Sequence, residues 1–239
     1  MTDPSIETAR DNKLLAMLSP ATTSRIVSRM TRMRLTARTH LLVSGRGREA
    51  VYFPLDALAV LSHTDAYART AGVALVGCDG VVGAGLLLGG QISIHDAHAV
   101  MEGDVLCMPR DAVVQELASD GEFRNLMLRY VHALLTQISY VAFCERIHSI
   151  EQRLVRWLLL ARDRTSHDGL TFSQEALASV IGVRREGISV AAGKLQKAQL
   201  IRYQRGRIEI VDRPGMEALA CQCYRGIRDE YARLFASMP

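Results

Sequence analysis

Residues 171–212 read TFSQEALASVIGVRREGISVAAGKLQKAQLIRYQRGRIEIVD, and this stretch decides the fold that we predict. Ser173 suits the N-cap of a first short helix, because its hydroxyl can accept from a free backbone N–H. Gly182 can end that helix, since glycine tolerates the positive φ that a sharp turn needs. A second helix with one apolar face spans about 184–198. Two short helices joined by a turn glycine are typical of a helix-turn-helix.

A pair of short strands follows the second helix. The segments LIRYQ and RIEIV alternate apolar and polar residues on either side of Arg205-Gly206. This pattern predicts a two-residue β-hairpin. A hairpin directly after a helix-turn-helix is the wing of a winged helix-turn-helix, and the combination is more specific than either element alone.

The polar side chains of this stretch predict contacts with double-stranded DNA. Arginine can bind guanine O6 and N7 with two donors at once, and glutamate can accept from cytosine N4. Arg185 and Glu186 lie in the first turn of the second helix, where a recognition helix meets base edges. The candidate DNA-binding residues are Ser173, Gln174, Arg184, Arg185, Glu186, Ser189, Lys194, Arg205 and Arg207.

The distribution of charge also favours a nucleic-acid partner. Residues 147–213 carry 12 Lys/Arg against 7 Asp/Glu, whereas residues 1–146 carry 14 against 15. Basic residues are therefore concentrated around the predicted helix-turn-helix. A solvated basic surface is the alternative interpretation of the same count.

The region from about 38 to 110 has a β pattern. Short apolar runs such as HLLVSG, VYFPL and VALVG are separated by turn residues, many of them glycine. Many short strands at this spacing predict an antiparallel β jelly-roll barrel. Helical segments at roughly 10–32 and 111–117 flank it, so the predicted fold class is α+β.

Residues 120–146 change to a helical period, with apolar residues at three- and four-residue steps. The pattern predicts a long amphipathic helix, and we interpret it as the seam of a parallel homodimer. The alternative is a helix that packs only on its own domain. The predicted interface residues are Phe123, Leu126, Tyr130, Leu134, Ile138 and Val141.

A new helix is expected after the long one. Ser149 followed by Gln152 fits a capping box, which places a domain boundary near His148. We therefore predict a sensor barrel over 1–118, a dimerisation helix over 119–147, and a winged helix-turn-helix domain with a C-terminal helix over 148–239.

This order of elements resembles the Crp/Fnr superfamily of bacterial regulators over nearly the whole chain. The most specific matches are QEALASVIGVRREGIS at 174–189, a Tyr-Phe-Pro step at 52–54 and GVVGAGLLLGG at 80–90. The resemblance implies a homodimer that binds a palindromic operator and contacts RNA polymerase, with Arg185 and Glu186 reading bases. It also implies an effector pocket at Val82, Gly83, Ala84, Gly85 and Leu86.

The chain departs from the family pattern in three ways. Val190 stands where the family usually has an arginine, so we expect an operator that differs from the common consensus. Ala84 stands where members that bind cAMP have a glutamate, and residues 85–100 contain neither arginine nor lysine to neutralise a phosphate. No cysteine precedes Cys78, so the N-terminal iron–sulfur ligands of one branch are missing. We expect neither a cAMP response nor an iron–sulfur cofactor.

Two alternatives stay open at this point. The first is a regulator that responds to cyclic nucleotides through an altered pocket, or to another small-molecule effector. The second is a metal-binding cupin-type enzyme or carrier using His95, His98 and Glu102. Their spacing argues against that site, because residues three apart point to opposite faces of a strand. With no catalytic arrangement in view, we predict a protein that is not an enzyme.

The cysteines and the hydropathy favour a cytoplasmic protein with no membrane partner. No apolar run reaches the roughly 18 residues of a membrane span, and the first residues do not resemble a signal peptide. The five cysteines form no C-x-x-C pair. Cys221 and Cys223 lie two apart on a predicted C-terminal helix, where they would point in different directions. We therefore expect them to be packing residues and predict no metal and no cofactor.

Overall fold

Two antiparallel sheets form the N-terminal part of the chain. In the computed structural model, which describes residues 4–119, 121–167 and 169–236, the strand orders are β1-β7-β3 and β2-β6-β4-β5. The buried residues of both sheets share one apolar core, so the predicted antiparallel barrel is confirmed. The strands are β1 (Thr31–Leu35), β2 (His40–Leu42), β3 (Ala50–Pro54), β4 (Leu58–Thr64), β5 (Thr70–Val76), β6 (Asp96–Met101) and β7 (Gly103–Pro109).

Helices flank the barrel on both sides in sequence. Two precede it, and two follow β7 without a long connection. Within the described residues, no helix combines the length and the apolar character that crossing a membrane requires. The helices are α1 (Ile6–Ala9), α2 (Pro20–Val27), α3 (Arg110–Ser119) and α4 (Gly121–Ile147).

The predicted long helix is α4, but its main apolar stripe does not form a surface. Phe123, Leu126, Tyr130, Leu134 and Val141 are buried within their own chain and Ile138 is half-buried. The helix packs there on β5 and on the last helix of the chain. The assignment of the five buried residues to a dimer seam is therefore wrong, whereas that of Ile138 stays a prediction. Periodicity identified a buried face correctly, but the face is covered by the barrel.

A second apolar stripe of α4 is exposed. Leu128, Leu135, Phe143 and Ile147 are 46%, 58%, 44% and 63% exposed. Steps of seven, eight and four residues keep them near one side of a helix with 3.6 residues per turn. This side faces away from the barrel core, so α4 has two apolar faces and only one is covered within the chain.

The C-terminal part begins with the predicted capping box. The backbone N–H of Ser149 donates to Gln152 Oε1 at 3.1 Å, and the N–H of Gln152 donates to Ser149 Oγ at 3.3 Å. A small sheet of order β8-β10-β9 and five helices follow. They are α5 (Ile150–Asp163), β8 (Leu170–Thr171), α6 (Gln174–Ile181), α7 (Arg185–Lys197), β9 (Ile201–Gln204), β10 (Arg207–Ile210), α8 (Arg213–Leu219) and α9 (Gln222–Ala236).

A buried ion pair joins the C-terminal part to the barrel. Arg164, directly after α5, is 1% exposed, and its Nε donates to Asp79 Oδ2 at 2.8 Å. Its guanidinium also lies over the ring of Tyr231 at 4.4 Å. A buried charge needs such partners, because an unpaired one is costly. The pair therefore fixes α5 and α9 against the loop after β5.

Cys221 does not lie on the C-terminal helix. It precedes Gln222, the first residue of α9, while Cys223 lies in the first turn. The expectation that the two thiols point in different directions is therefore wrong, because it assumed helical geometry at both positions. The two sulfur atoms lie in one buried cluster with the sulfur of Cys144.

Candidate DNA-binding site

The helix-turn-helix consists of α6 and α7. Ser173 is the N-cap of α6, and its hydroxyl accepts from the N–H of Ala176 at 3.1 Å. Gly182 ends α6 with φ of +69°, a left-handed conformation that favours glycine. Buried apolar residues fix the two helices together and so confirm the predicted motif. They are Leu177, Ala178, Val180, Ile181, Ile188, Ala191, Ala192 and Leu195.

The first turns of α7 present an exposed polar face. Arg184 is its N-cap, and it lies with Arg185, Glu186 and Ser189 on the accessible side of the helix start. Val190 lies beside them at 62% exposure. This is the part of a recognition helix that reaches base edges in the major groove. The structure therefore brings these predicted residues together on one accessible surface.

Two contacts connect this face to the start of α6. Arg185 Nη1 lies 2.9 Å from Glu175 Oε1, and Ser189 Oγ donates to Gln174 Oε1 at 2.7 Å. The pKa of Glu175 is lowered by the free backbone N–H at its helix start and further by the charge of Arg185. Glu175 was not among the predicted residues, although its position in the first turn of α6 is visible in the sequence.

Lys194 lies on a different side of α7 from Arg185. Nine residues separate them, about two and a half turns of helix, so they point in opposite directions. The ammonium of Lys194 instead forms an ion pair of 3.2 Å with Glu151 of α5. Lys194 is thus not part of the face that carries Arg185, Glu186 and Ser189.

The predicted wing is the hairpin of β9 and β10. Gln204 pairs with Arg207 across the turn, and Arg205 and Gly206 have φ of +50° and +78°. Positive φ at both turn residues is the pattern of a type I′ hairpin. Arg207 leans back toward Glu209 at 3.8 Å. Arg205 forms no ion pair within the described ranges, so its guanidinium is available at the wing tip.

A cavity of about 580 Å³ lies between the start of α6 and the barrel. Ser173 and Glu175 line it on one side, and Arg38, His40 and His98 line it on the other. Ser173 therefore lies where α6 meets the barrel. The next residue, Gln174, contacts Ser189 of α7. The structure brings Ser173 to the edge of the recognition face, not to its centre.

The histidines of the cupin alternative do not converge. The ring of His98 lies beside His40 at 6.1 Å, whereas the ring of His95 lies beside His63 at 6.3 Å. Glu102 pairs with Arg34 at 3.8 Å. The only group of metal ligands found within the described residues does not include His95, His98 or Glu102. The arrangement gives no support to a cupin-type metal site.

The predicted effector segment is folded into the barrel. Val82, Ala84 and Leu86 are buried, Gly83 has φ of +101°, and a Cβ on Gly85 would lie 2.4 Å from Arg48 Nη2. The segment thus closes tightly around the side chain of one arginine.

Arg48 is the residue that sequence reasoning missed. It is buried, its Nη1 donates to the carbonyl of Gly90 at 2.9 Å, and its Nε has no hydrogen-bond partner. Burial lowers the pKa of Arg48. A cation was expected only within 85–100, whereas Arg48 comes from the loop before β3. The feature of the sequence that could have indicated this site is the pair Gly85 and Gly90, which leave room for the guanidinium of Arg48.

Comparison with known proteins agrees with this geometry. Residues 152–219 match the Crp-like helix-turn-helix domain. A protein described as "Global nitrogen regulator" from Nostoc sp. (strain PCC 7120) is 30% identical over 175 residues, which cover 70% of this chain and 78% of that protein.

Solved structures share the fold. FixK2 from Bradyrhizobium japonicum superposes with a TM-score of 0.70 at 15% identity, covering 80% of this chain and 98% of that one. A CRP/FNR family transcriptional regulator from Thermus thermophilus gives 0.64 at 22% identity, with coverage of 80% and 98%. The sequence matches to a regulator and to the Crp-like helix-turn-helix domain show that this chain belongs to the Crp/Fnr family, whose members are transcription regulators and not enzymes.

Proposed function

We propose that the protein is a cytoplasmic homodimer that binds a palindromic operator in double-stranded DNA and acts on transcription together with RNA polymerase. The observation that carries the proposal is the exposed face of α7, where Arg184, Arg185 and Glu186 are presented without covering by the barrel. Surface arginines are common, but here they occupy the first turn of a helix held by a partner helix and flanked by a wing.

Base reading is assigned to the centre of this face. Arg185 is held by Glu175, but the two side chains are 62% and 56% exposed. An exposed ion pair contributes about 0–1 kcal/mol, so guanine can replace Glu175 as the partner of Arg185 at small cost. Val190 offers an apolar contact suited to a thymine methyl group. We propose that this contact replaces the base contact of the arginine that the family usually has at this position, so that the operator differs from the family consensus.

Phosphate contacts are assigned to the margins. Arg184, Arg205 and Arg207 lie around the recognition face, and cations at such positions fix the register of a protein on the duplex. Ser173 and Gln174 stand at the start of α6, where helix N–H groups and short polar side chains suit a phosphate oxygen. Lys194 contributes only if DNA draws it away from Glu151.

The dimer is assigned to the exposed stripe of α4. Leu128, Leu135, Phe143 and Ile147 form an apolar line along a helix of 27 residues. A second copy of the same helix covers such a line when the two pack in parallel. A parallel pair also places two recognition helices in the symmetric arrangement that a palindromic site requires.

Selection of DNA by the purified protein tests the function. We expect a random library to yield an inverted repeat whose half-sites lie about one helical turn apart. Selection without any enriched motif would contradict sequence-specific binding, and an enriched single half-site would contradict the dimer. A variant in which Arg184 and Arg185 are both alanine provides the control, and it should enrich no motif.

A second proposal concerns the effector. We propose that the protein does not respond to cAMP, because Ala84 and Leu86 fill the predicted pocket. The buried guanidinium of Arg48, with one N–H unpaired, favours instead a small anionic effector that displaces the carbonyl of Gly90. Calorimetry with cAMP and cGMP should give no binding heat. Heat that is present in the wild type and absent in Arg48→Gln would instead show that a cyclic nucleotide binds in an altered pocket.

A further inference from the structure

Four potential metal ligands meet where α4 ends and α9 begins. Cys144 lies in the last turn of α4, and His148 follows that helix. Cys221 directly precedes α9, and Cys223 lies in its first turn. Their sulfur and nitrogen atoms all lie within 4.8 Å of one another. We propose that these residues form a tetrahedral site of three cysteines and one histidine for zinc.

The separations fit a single ion. Cys144 Sγ lies 3.7 Å from Cys221 Sγ, and Cys223 Sγ lies 3.6 Å from His148 Nδ1. Tetrahedral zinc, with bonds of about 2.3 Å to sulfur and about 2.0–2.1 Å to nitrogen, holds its ligand atoms about 3.5–3.8 Å apart. The iron and sulfide atoms of an iron–sulfur cluster would stand between the thiolates, and donors this close leave no room for them.

The ligand types also favour zinc. Thiolate and imidazole are soft or borderline ligands that select zinc over magnesium, calcium or manganese. The three cysteines are buried, which is typical of a closed structural site rather than of an open catalytic one. His148 is held by its backbone N–H, which donates to the carbonyl of Cys144 at 3.0 Å, and by the ring of Phe143 at 5.8 Å.

A buried arginine gives independent support. Arg156 is 3% exposed, and its Nε donates to Cys144 Sγ at 3.2 Å. A neutral thiol is a weak acceptor and a poor partner for a buried guanidinium. A zinc-bound thiolate carries negative charge, and hydrogen bonds from a surrounding shell are common at such ligands. Arg156 also pairs with Glu145 at 3.2 Å, and a thiolate suits the remaining Nε donor better than a thiol does.

The charges around the site balance when zinc and three thiolates are counted. Glu145 forms ion pairs with both Arg153 and Arg156, so one carboxylate is shared by two guanidinium groups and one positive charge is left over. Zinc with three thiolates and a neutral histidine has a net charge of −1. The site would therefore neutralise the remaining positive charge in a part of the protein that is largely shielded from water.

The metal would connect three elements. It would join the end of α4, the turn into α5 and the start of α9, and so fix the long helix to the C-terminal part of the chain. This consequence does not depend on the identity of the operator or on DNA binding. Metal content therefore tests the site separately from the proposed function.

The experiment measures metal in the full-length protein, purified with a thiol reductant. We expect inductively coupled plasma mass spectrometry to find one zinc per chain. The variants Cys144→Ser and Cys221→Ser should lose this zinc. Cys78→Ser and Cys107→Ser are the matched controls, because these cysteines lie outside the cluster, and both should retain zinc. Cobalt in place of zinc should give thiolate charge-transfer bands and the intense visible bands of a tetrahedral ion.

Several results would overturn the proposal. They are a reduced protein that takes up no stoichiometric zinc when zinc is added, preferential uptake of iron, cobalt without thiolate bands, and a disulfide between Cys144 and Cys221 in place of metal. Should the serine variants fail to fold, a mercurial reagent titrated into the wild-type protein must release zinc in step with thiol modification, and its failure to do so equally refutes the site.

The role of Arg156 in positioning the Cys144 ligand can be tested by measuring zinc affinity. Arg156→Gln should weaken zinc affinity about 10- to 100-fold, as loss of a hydrogen bond to a ligand typically does, and Arg156→Lys should restore part of the loss. Competition with a coloured chelator measures both. Unchanged affinity in Arg156→Gln would contradict the charge argument.

Discussion

The ion pair of Arg185 and Glu175 holds the side chain that we propose to read DNA, but it holds it weakly. Both groups are more than half exposed, so water screens their attraction and the pair is weak. The pair directs the guanidinium of Arg185 toward the start of α6. The guanidinium can then exchange a carboxylate for a guanine edge without a large rearrangement.

The first prediction follows from this exchange. Arg185→Ala should weaken binding to the selected operator by about 1–3 kcal/mol and relax specificity at one base pair of each half-site. Binding to unrelated DNA should change much less. Fluorescence anisotropy at fixed salt measures both affinities. Arg202→Ala is the control, because Arg202 is equally exposed at 63% and also paired with a glutamate, but it lies on the wing strand β9 and not on α7.

The second prediction concerns the buried pair of Arg164 and Asp79. Arg164→Met should destabilise the protein by about 3–5 kcal/mol, because it leaves the carboxylate of Asp79 buried without its partner. Combining it with Asp79→Leu should recover most of the loss, since an apolar pair needs no hydrogen bonds. Urea unfolding of the two single variants and the double variant measures this. Equal stability of Arg164→Met and the wild type would contradict a desolvated pair.

At the scale of elements, the sequence predicted where helices and turns lie, but it did not predict which elements pack against each other. The helical period of α4, the capping box at Ser149 and the turn glycine at Gly182 are local patterns, and each appears in the structure as predicted. Which neighbour covers a helix face is set by residues far away in sequence. The wider stripe of α4 was therefore assigned to a second chain, although β5 and α9 cover it.

The third prediction tests the exposed stripe of α4. Replacing Leu128 and Leu135 by glutamate should convert the dimer to monomer, because it places two charges per chain in an apolar seam. Sedimentation equilibrium measures the assembly state, and circular dichroism should show an unchanged fold since both residues are exposed. Leu219→Glu, at a residue 44% exposed on α8, should leave the dimer intact. Dimers that persist in the double variant would place the interface elsewhere.

At the scale of the whole molecule, the two parts of the chain touch through groups that no local pattern connects. Asp79 and Arg164 are 85 residues apart, and a Cβ on Gly72 of β5 would lie 2.9 Å from the carbonyl of Val180 in α6. The order of barrel, long helix and winged helix-turn-helix was predictable because each unit has its own composition and period. The contacts between them, like the position of Arg48, depend on the folded arrangement and were not.

The fourth prediction is a pH dependence of the whole fold. Burial lowers the pKa of His95 and of His98 below the ordinary value of 6.5, with Arg48 and His63 adding to the effect at His95 and His40 at His98. The unfolded chain therefore binds protons at these histidines before the folded chain does. The contribution of these two histidines to the free energy of unfolding is therefore fully present above about pH 6.5. It is lost as the pH falls through that value toward the folded pKa.

Urea unfolding at several pH values between about 5 and 8 measures this dependence. The double variant His95→Gln and His98→Gln should lose less stability on acidification than the wild type, because glutamine does not titrate. His167→Gln is the matched control, since His167 is a half-exposed histidine beside Asp56 at 3.4 Å and lies away from the barrel histidines. Parallel curves for the wild type and the double variant would assign the acid sensitivity to other groups.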